Sequence, residues 1–135
     1  MTVSLVVVSH SAKLAEGVAE LAGQMTQGKI AIAAAGGTPE GELGTSVERI
    51  IAALKQVAGP EGTLILLDLG SAVMSAEMAV EQFSLESDFK VTISPGPLVE
   101  GAIIAAVEAS VGNSLEEVAL AAQQAMTLPK LQSLN

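Results

Sequence analysis

The chain has 135 residues and a formal charge of −9; half of its residues are apolar, and its only aromatic side chains are two phenylalanines. That length accommodates one domain with a hydrophobic core, and the negative charge and lack of stacking platforms exclude a nucleic-acid partner. With no cysteine, disulfides, thiolate zinc sites and thiol catalysis are excluded, as fits a reducing compartment, and the core must be built from Ala, Val, Ile and Leu.

Val3 to Val8 is a β-branched and apolar run broken only by Ser4 and reads as a buried first strand. It lacks a basic segment before it and ends in the polar cluster at His10, so it does not read as a signal peptide. From Ser11 a helical spacing places Leu14, Val18, Leu21, Ala22 and Met25 on one face. Lys29 to Ala33 is a second strand, followed by the loop Ala35-Gly36-Gly37-Thr38-Pro39-Glu40-Gly41. Thr45 and Glu48 form a capping-box signature, and Val47, Ile50, Ile51, Leu54 and Val57 continue as the second helix until Gly59-Pro60.

Thr63 to Leu67 is a third buried strand that empties into Asp68-Leu69-Gly70-Ser71, where Ser71 is expected to cap a third helix. That helix carries Val73, Met74, Met78 and Val80; the spacing assigns both methionines to the core. Phe89 to Ile93 is a fourth strand, Ser94-Pro95-Gly96-Pro97 a rigid turn, and Leu98 to Val111 a helix with Val99, Ile103, Ala106 and Val107 inward. Ser114 and Glu117 repeat the capping box and open a last helix through Met126. Thr127 to Asn135 is expected to be an extended arm or a frayed end.

Strands alternating with helices predict an α/β fold: a doubly wound, mainly parallel open sheet in the order 2-1-3-4, with helices on both faces, as one domain over residues 1–135. No apolar run approaches the roughly 20 residues of a membrane helix, so the expected address is the cytoplasm and no membrane partner is expected. The apolar excess in so small a chain predicts self-association.

In such a sheet ligands bind outside the carboxyl ends of the strands, where the strand order reverses. That point receives Ser9, His10 and Ser11 from strand one and Asp68, Gly70 and Ser71 from strand three, while strand two delivers Gly36, Gly37 and Thr38 to the same rim. A histidine nucleophile for phosphoryl transfer needs one ring nitrogen open and the other held, and a carboxylate can hold it. His10 is then the nucleophile, Asp68 orients it, and Ser11, Gly37, Thr38, Gly70 and Ser71 surround the phosphoryl oxygens, with no metal or other cofactor required. Two readings of Asp68 stay open: cap of the following helix, or partner of His10. Gly36-Gly37 is also compatible with an ordinary turn. Glu77, Glu81, Glu100, Glu116 and Glu117 read as solvated helix faces, some of them available as an acidic docking surface.

Val7-Val8-Ser9-His10-Ser11 and Leu67-Asp68-Leu69-Gly70-Ser71-Ala72, with Gly36-Gly37-Thr38, Gly44-Thr45-Ser46 and Glu77-Met78-Ala79, together resemble the mannose-type EIIA proteins of the phosphoenolpyruvate-dependent phosphotransferase system. Within that family the chain looks like the phosphoryl-donor subunits of dihydroxyacetone kinase. The resemblance implies that the phosphocarrier protein HPr phosphorylates His10. The group then passes to ADP on the kinase's nucleotide-binding subunit, and the ATP formed serves the dihydroxyacetone-binding subunit. It also implies a homodimer. Some donor subunits continue into HPr-like and enzyme-I-like domains; this sequence stops after the EIIA-like unit, and the expectation is that those functions come from separate proteins.

The rival inside the same chemistry is a sugar-specific EIIA that donates to a transporter subunit. That branch usually shows Gly-Gly-Ser-Pro after the strand-three aspartate, where this chain has Leu69-Gly70-Ser71-Ala72. A receiver-type domain phosphorylated on Asp68 would need acidic residues after strand one, where Ser9-His10-Ser11 stand. A plain module for a small anion or nucleotide is the remaining alternative.

Overall fold

The computed structural model describes residues 1–131. Four parallel strands, β1 (Ser4–Ser9), β2 (Ile32–Gly36), β3 (Thr63–Leu67) and β4 (Val91–Ile93), form one sheet in the order β2-β1-β3-β4, which is the predicted order. The helices are α1 (Ala12–Met25), α2 (Val47–Val57), α3 (Val73–Ser84), α4 (Leu98–Ser110) and α5 (Leu115–Gln124). Single 3₁₀ turns occupy Gly70–Ala72 and Ala125–Thr127. None of these helices is long and apolar enough to cross a membrane.

Side chains alternate across a strand, and here both faces are covered. Leu5, Val7, Leu64 and Leu66 pack with α1, α4 and α5, whereas Val6, Val8, Ile65 and Leu67 pack with α2 and α3. That is why β1 and β3 read as near-continuous apolar runs instead of alternating ones. The register aligns Ser9 with Gly36 and Val8 with Leu67, so the residues that leave β1, β2 and β3 emerge together at one edge.

The second strand begins three residues later than Lys29 and ends on Gly36. The close approach at that point demands glycine: a Cβ there would lie 2.5 Å from the Ser11 carbonyl oxygen and 2.8 Å from both the Ala12 Cα and the Ala15 Cβ. β2 can therefore run directly beneath the start of α1. The fourth strand is shorter than Phe89 to Ile93, because it pairs only with β3 and only over three residues.

The inward faces of three helices differ from the expectation. In α1 the buried residues are Ala15, Val18 and Ala22, with Leu14, Leu21 and Met25 exposed. In α3 they are Ala76, Ala79 and Phe83, and the supposed core methionines Met74 and Met78 are 72% and 51% exposed. In α4 they are Leu98, Ala102, Ala105, Ala106 and Ala109, with Val99 and Val107 outward. Small side chains let helix axes approach one another and the sheet closely, and the layers here are packed through alanine.

The caps also sort themselves. Ser46, not Thr45, caps α2 and accepts from the Arg49 amide, which leaves the Thr45 hydroxyl to meet Ser75 of α3 at 2.7 Å. The Ser114 and Glu117 capping box at α5 forms as expected. Glu100 is half-buried and bonded to Lys130, instead of standing on a bare solvated face. Of the expected tail, Thr127 closes a 3₁₀ turn and 128–131 are exposed; residues 132–135 lie outside the described residues.

Candidate active site

The site forms where β1 and β3 end side by side. The Asp68 amide donates to the Val8 carbonyl (3.2 Å), which prolongs the β1–β3 ladder by one residue and brings the carboxylate beneath His10. Asp68 Oδ1 lies 3.0 Å from His10 Nδ1, and Oδ2 accepts the His10 main-chain N–H (2.9 Å) and the Ser9 hydroxyl (3.0 Å). Asp68 is thus the partner of the histidine and does not cap a helix; the turn that follows has no side-chain cap. The His10 side chain is 28% exposed and that of Asp68 11%.

This arrangement selects the tautomer. An ionised carboxylate only accepts, so Nδ1 carries the ring proton. Nε2 then keeps its lone pair and faces the Ser71 hydroxyl at 3.0 Å. The expected cap residue Ser71 sits instead inside the 3₁₀ turn Gly70–Ala72, its hydroxyl donating to the ring. The leading amides of that turn, Gly70 and Ser71, have no acceptor among the described residues and, as the first N–H groups of a helical segment, suit an anion.

The other predicted residues serve the frame. Ser11 caps α1 by accepting from the Leu14 amide (3.2 Å), and its own N–H donates to Ser9 Oγ (2.9 Å). The Gly37 N–H donates to the Ser9 carbonyl and the Thr38 N–H to the Glu42 carbonyl, so the chain itself takes both amides. Gly37 adopts φ +71°, the left-handed region that glycine tolerates best. One contact was not foreseen: the Gly44 N–H donates to the His10 carbonyl at 2.8 Å and ties the β2–α2 loop to the histidine backbone. Gly44 holds φ +145°, and a Cβ there would come within 2.9 Å of Thr38 Cγ2. The Gly-rich stretch before α2 was the available signal.

The electrostatics of Asp68 are a contest. Burial acts most strongly and pushes the carboxyl up. Against it stand the hydrogen bonds from the His10 amide, the His10 ring and the Ser9 hydroxyl, together with the charge of a protonated ring, and jointly they hold Asp68 below its ordinary value of 3.8. The folded chain therefore binds this proton less readily than the unfolded chain. The stabilisation is complete above the ordinary aspartate range and is lost as pH falls through the lower folded value. In urea melts from about pH 6 down to about pH 3, the stability gap between the wild type and Asp68→Ala is expected to narrow toward the acid end; a gap that widens on acidification would contradict this sign.

The chain is similar to known proteins over most of its length. The chain is 42% identical over 127 residues to the phosphoryl donor subunit DhaM of the PEP-dependent dihydroxyacetone kinase of Escherichia coli (strain K12), covering 92% of this chain but 27% of that protein. It thus spans about a quarter of the length of that relative. A DhaM of kinase 2 from Listeria innocua is 40% identical over 116 residues, covering 86% of this chain and 93% of the relative. Among solved structures, a crystal structure of a protein of unknown function has a TM-score of 0.75 at 32% identity, covering 91% of this chain and 94% of the other. The model of the family described as the PTS system fructose IIA component matches residues 4–119. That match takes in all four strands and both sides of the His10–Asp68 pair, and the chain belongs to this EIIA-man family.

Proposed function

We propose that the chain is a phosphoryl carrier that accepts its group on His10 Nε2 from phospho-HPr and passes it to ADP on the nucleotide-binding subunit of a dihydroxyacetone kinase. The observation that carries this reading is the His10 ring, anchored at Nδ1 by Asp68 with Nε2 turned to the open end of the sheet. The DhaM relatives are phosphoryl donor subunits of dihydroxyacetone kinases, which supports such a kinase as the destination of the group. HPr as donor follows from the family resemblance.

In the first step the Nε2 lone pair attacks phosphorus, an Nε2–P bond forms, and the bond from phosphorus to the donor's nitrogen breaks with its electron pair returning to the donor. Nδ1 keeps its proton, and Asp68 stabilises the positive charge that spreads over the ring. The Ser71 hydroxyl turns from Nε2 to a phosphoryl oxygen, and the Gly70 and Ser71 amides meet the others. Ser11, Gly37 and Thr38 shape the rim. In the second step an oxygen of the ADP β-phosphate attacks phosphorus and the Nε2–P bond breaks, restoring the neutral ring. No resident metal or cofactor is assigned to this chain.

Both partners are proteins, and the surface beside the site suits that. Leu43 of the β2–α2 loop, Leu69 next to Asp68, and Met74 and Met78 of α3 are exposed, with Glu77 and Glu81 on the same helix. An apolar patch rimmed by acidic groups fits a partner face that carries apolar and basic side chains. The exposed aliphatic residues of α1 and α4 support self-association as a homodimer, the family match over residues 4–119 supports the reading of the chain as a single EIIA-like domain, and the cytoplasm is the compartment where such a relay would operate.

The discriminating experiment supplies the phosphorylated protein with either the kinase's nucleotide subunit and ADP, or a mannose-type transporter EIIB. ATP formation with the first and no transfer to the second is expected. Transfer to EIIB without ATP would move the chain to sugar import.

A further inference from the structure

The Ser9 hydroxyl has one proton, and the geometry dictates its direction. Ser9 is fully buried at the end of β1. The Ser11 amide, which can only donate, points at Ser9 Oγ from 2.9 Å. The hydroxyl therefore accepts on that side and sends its own proton to Asp68 Oδ2, 3.0 Å away. One side chain thus spans the cap residue of α1 and the carboxylate that holds the histidine.

The carrier chemistry proposed above, on which this inference rests, sets two opposing demands on Asp68. The carboxylate must be a strong enough acceptor to keep the ring proton on Nδ1. Yet a bare carboxylate 3.0 Å from an imidazole favours the imidazolium, which has no lone pair for phosphorus. Donors on the far oxygen resolve this by taking up part of its charge, and Oδ2 has two of them, the His10 N–H and the Ser9 O–H. The first belongs to the main chain; only the second is set by a side chain. We propose that Ser9 is a positioning residue whose hydroxyl proton fixes Asp68 and draws off part of its charge, so that His10 remains a neutral Nδ1–H imidazole and does not form an ion pair.

The other ionisable groups on the surrounding elements are Lys13, Glu16 and Glu20 of α1, Glu40 and Glu42 of the β2–α2 loop, Glu48, Arg49 and Lys55 of α2, and Glu77 and Glu81 of α3. All are exposed, and among the described residues neither His10 nor Asp68 has a second oppositely charged side chain within 4.0 Å. Arg49 reaches instead to the Gly36 carbonyl at 3.4 Å.

His10 is the only histidine in the chain, so its ring signals in NMR can be titrated without ambiguity on the intact, unphosphorylated protein. Ser9→Ala is expected to move the His10 midpoint upward relative to the wild type measured side by side, and the acid limb of phosphoryl uptake moves in the same direction. Ser9→Thr keeps the hydroxyl and is expected to titrate with the wild type. A folded Ser9→Ala protein whose midpoint stays or falls overturns the proposal by itself, and so does a Ser9→Thr midpoint that moves as far as that of Ser9→Ala. Because the midpoint is read without any phosphoryl group, a shift with no phosphoryl uptake condemns the carrier reading, whereas uptake with no shift condemns the role of Ser9.

Discussion

Replacing His10 by alanine is expected to abolish phosphoryl uptake completely while leaving the protein folded. The expectation follows from what remains at the site. Ser71 and Ser9 keep their hydroxyls, but without the ring Ser71 has no base to take its proton, and the Ser9 proton is already committed to Asp68. An unactivated serine is a poor nucleophile at neutral pH. The fold survives because His10 belongs to neither packed cluster and the side chain is 28% exposed. After incubation with enzyme I, HPr and phosphoenolpyruvate, intact-mass measurement should show one phosphoryl group on the wild type, removed by mild acid as a nitrogen-bound phosphate is, and none on His10→Ala. An equal adduct on the variant would place the phosphoryl group elsewhere and end the carrier reading.

Asp68→Asn is expected to lower the rate of phosphoryl uptake by about 10²–10⁴-fold, and at least as much as Asp68→Ala. Two donors, the His10 main-chain N–H and the Ser9 hydroxyl, aim at the position of Oδ2, so the amide oxygen of asparagine must settle there. Its NH₂ group then faces Nδ1, which is forced to accept. The ring proton moves to Nε2 and occupies the attacking lone pair. Alanine, by contrast, leaves the ring loose but able to sample the reactive tautomer. Single-turnover uptake from phospho-HPr measures this directly, and an asparagine variant that transfers faster than the alanine one would refute the tautomer argument.

What was legible in the sequence follows from the size of the signals. β3 is read correctly to the residue because Thr63 to Leu67 is buried on both faces and bounded by Gly62 and Asp68. The parallel sheet covered on both faces follows from the alternation of elements and the handedness of their crossovers, while the strand order, and with it the meeting of His10 and Asp68, comes from the order common among doubly wound sheets. The helix faces were misread for a specific reason: hydropathy weights leucine, methionine and valine above alanine, and this protein does the reverse. Ala15, Ala22, Ala76, Ala79, Ala102 and Ala105 lie inside, while Leu14, Leu21, Met74 and Met78 face outward. A spacing argument finds the largest apolar stripe, which here is not the stripe that lets layers approach. The start of β2 was missed because register depends on pairing with β1, where Gly36 answers Ser9, and not on local composition. At the site, residue types carried the reading of His10 and Asp68. Their bracing by Ser9 and Gly44 depends on hydroxyl and amide directions that no linear pattern displays.

The Asp68 carboxylate grips both the imidazole and the main-chain amide of the same residue, so the ring is tethered at two points by one group. A side chain can then stand in solvent and still be immobile, its orientational entropy surrendered when the chain folds and not when a visitor arrives. Two unrelated proteins can visit such a ring in turn, because neither has to supply the wall that aims it; each needs only to bring phosphorus, or an oxygen to receive it, along the one line on which Nε2 already points.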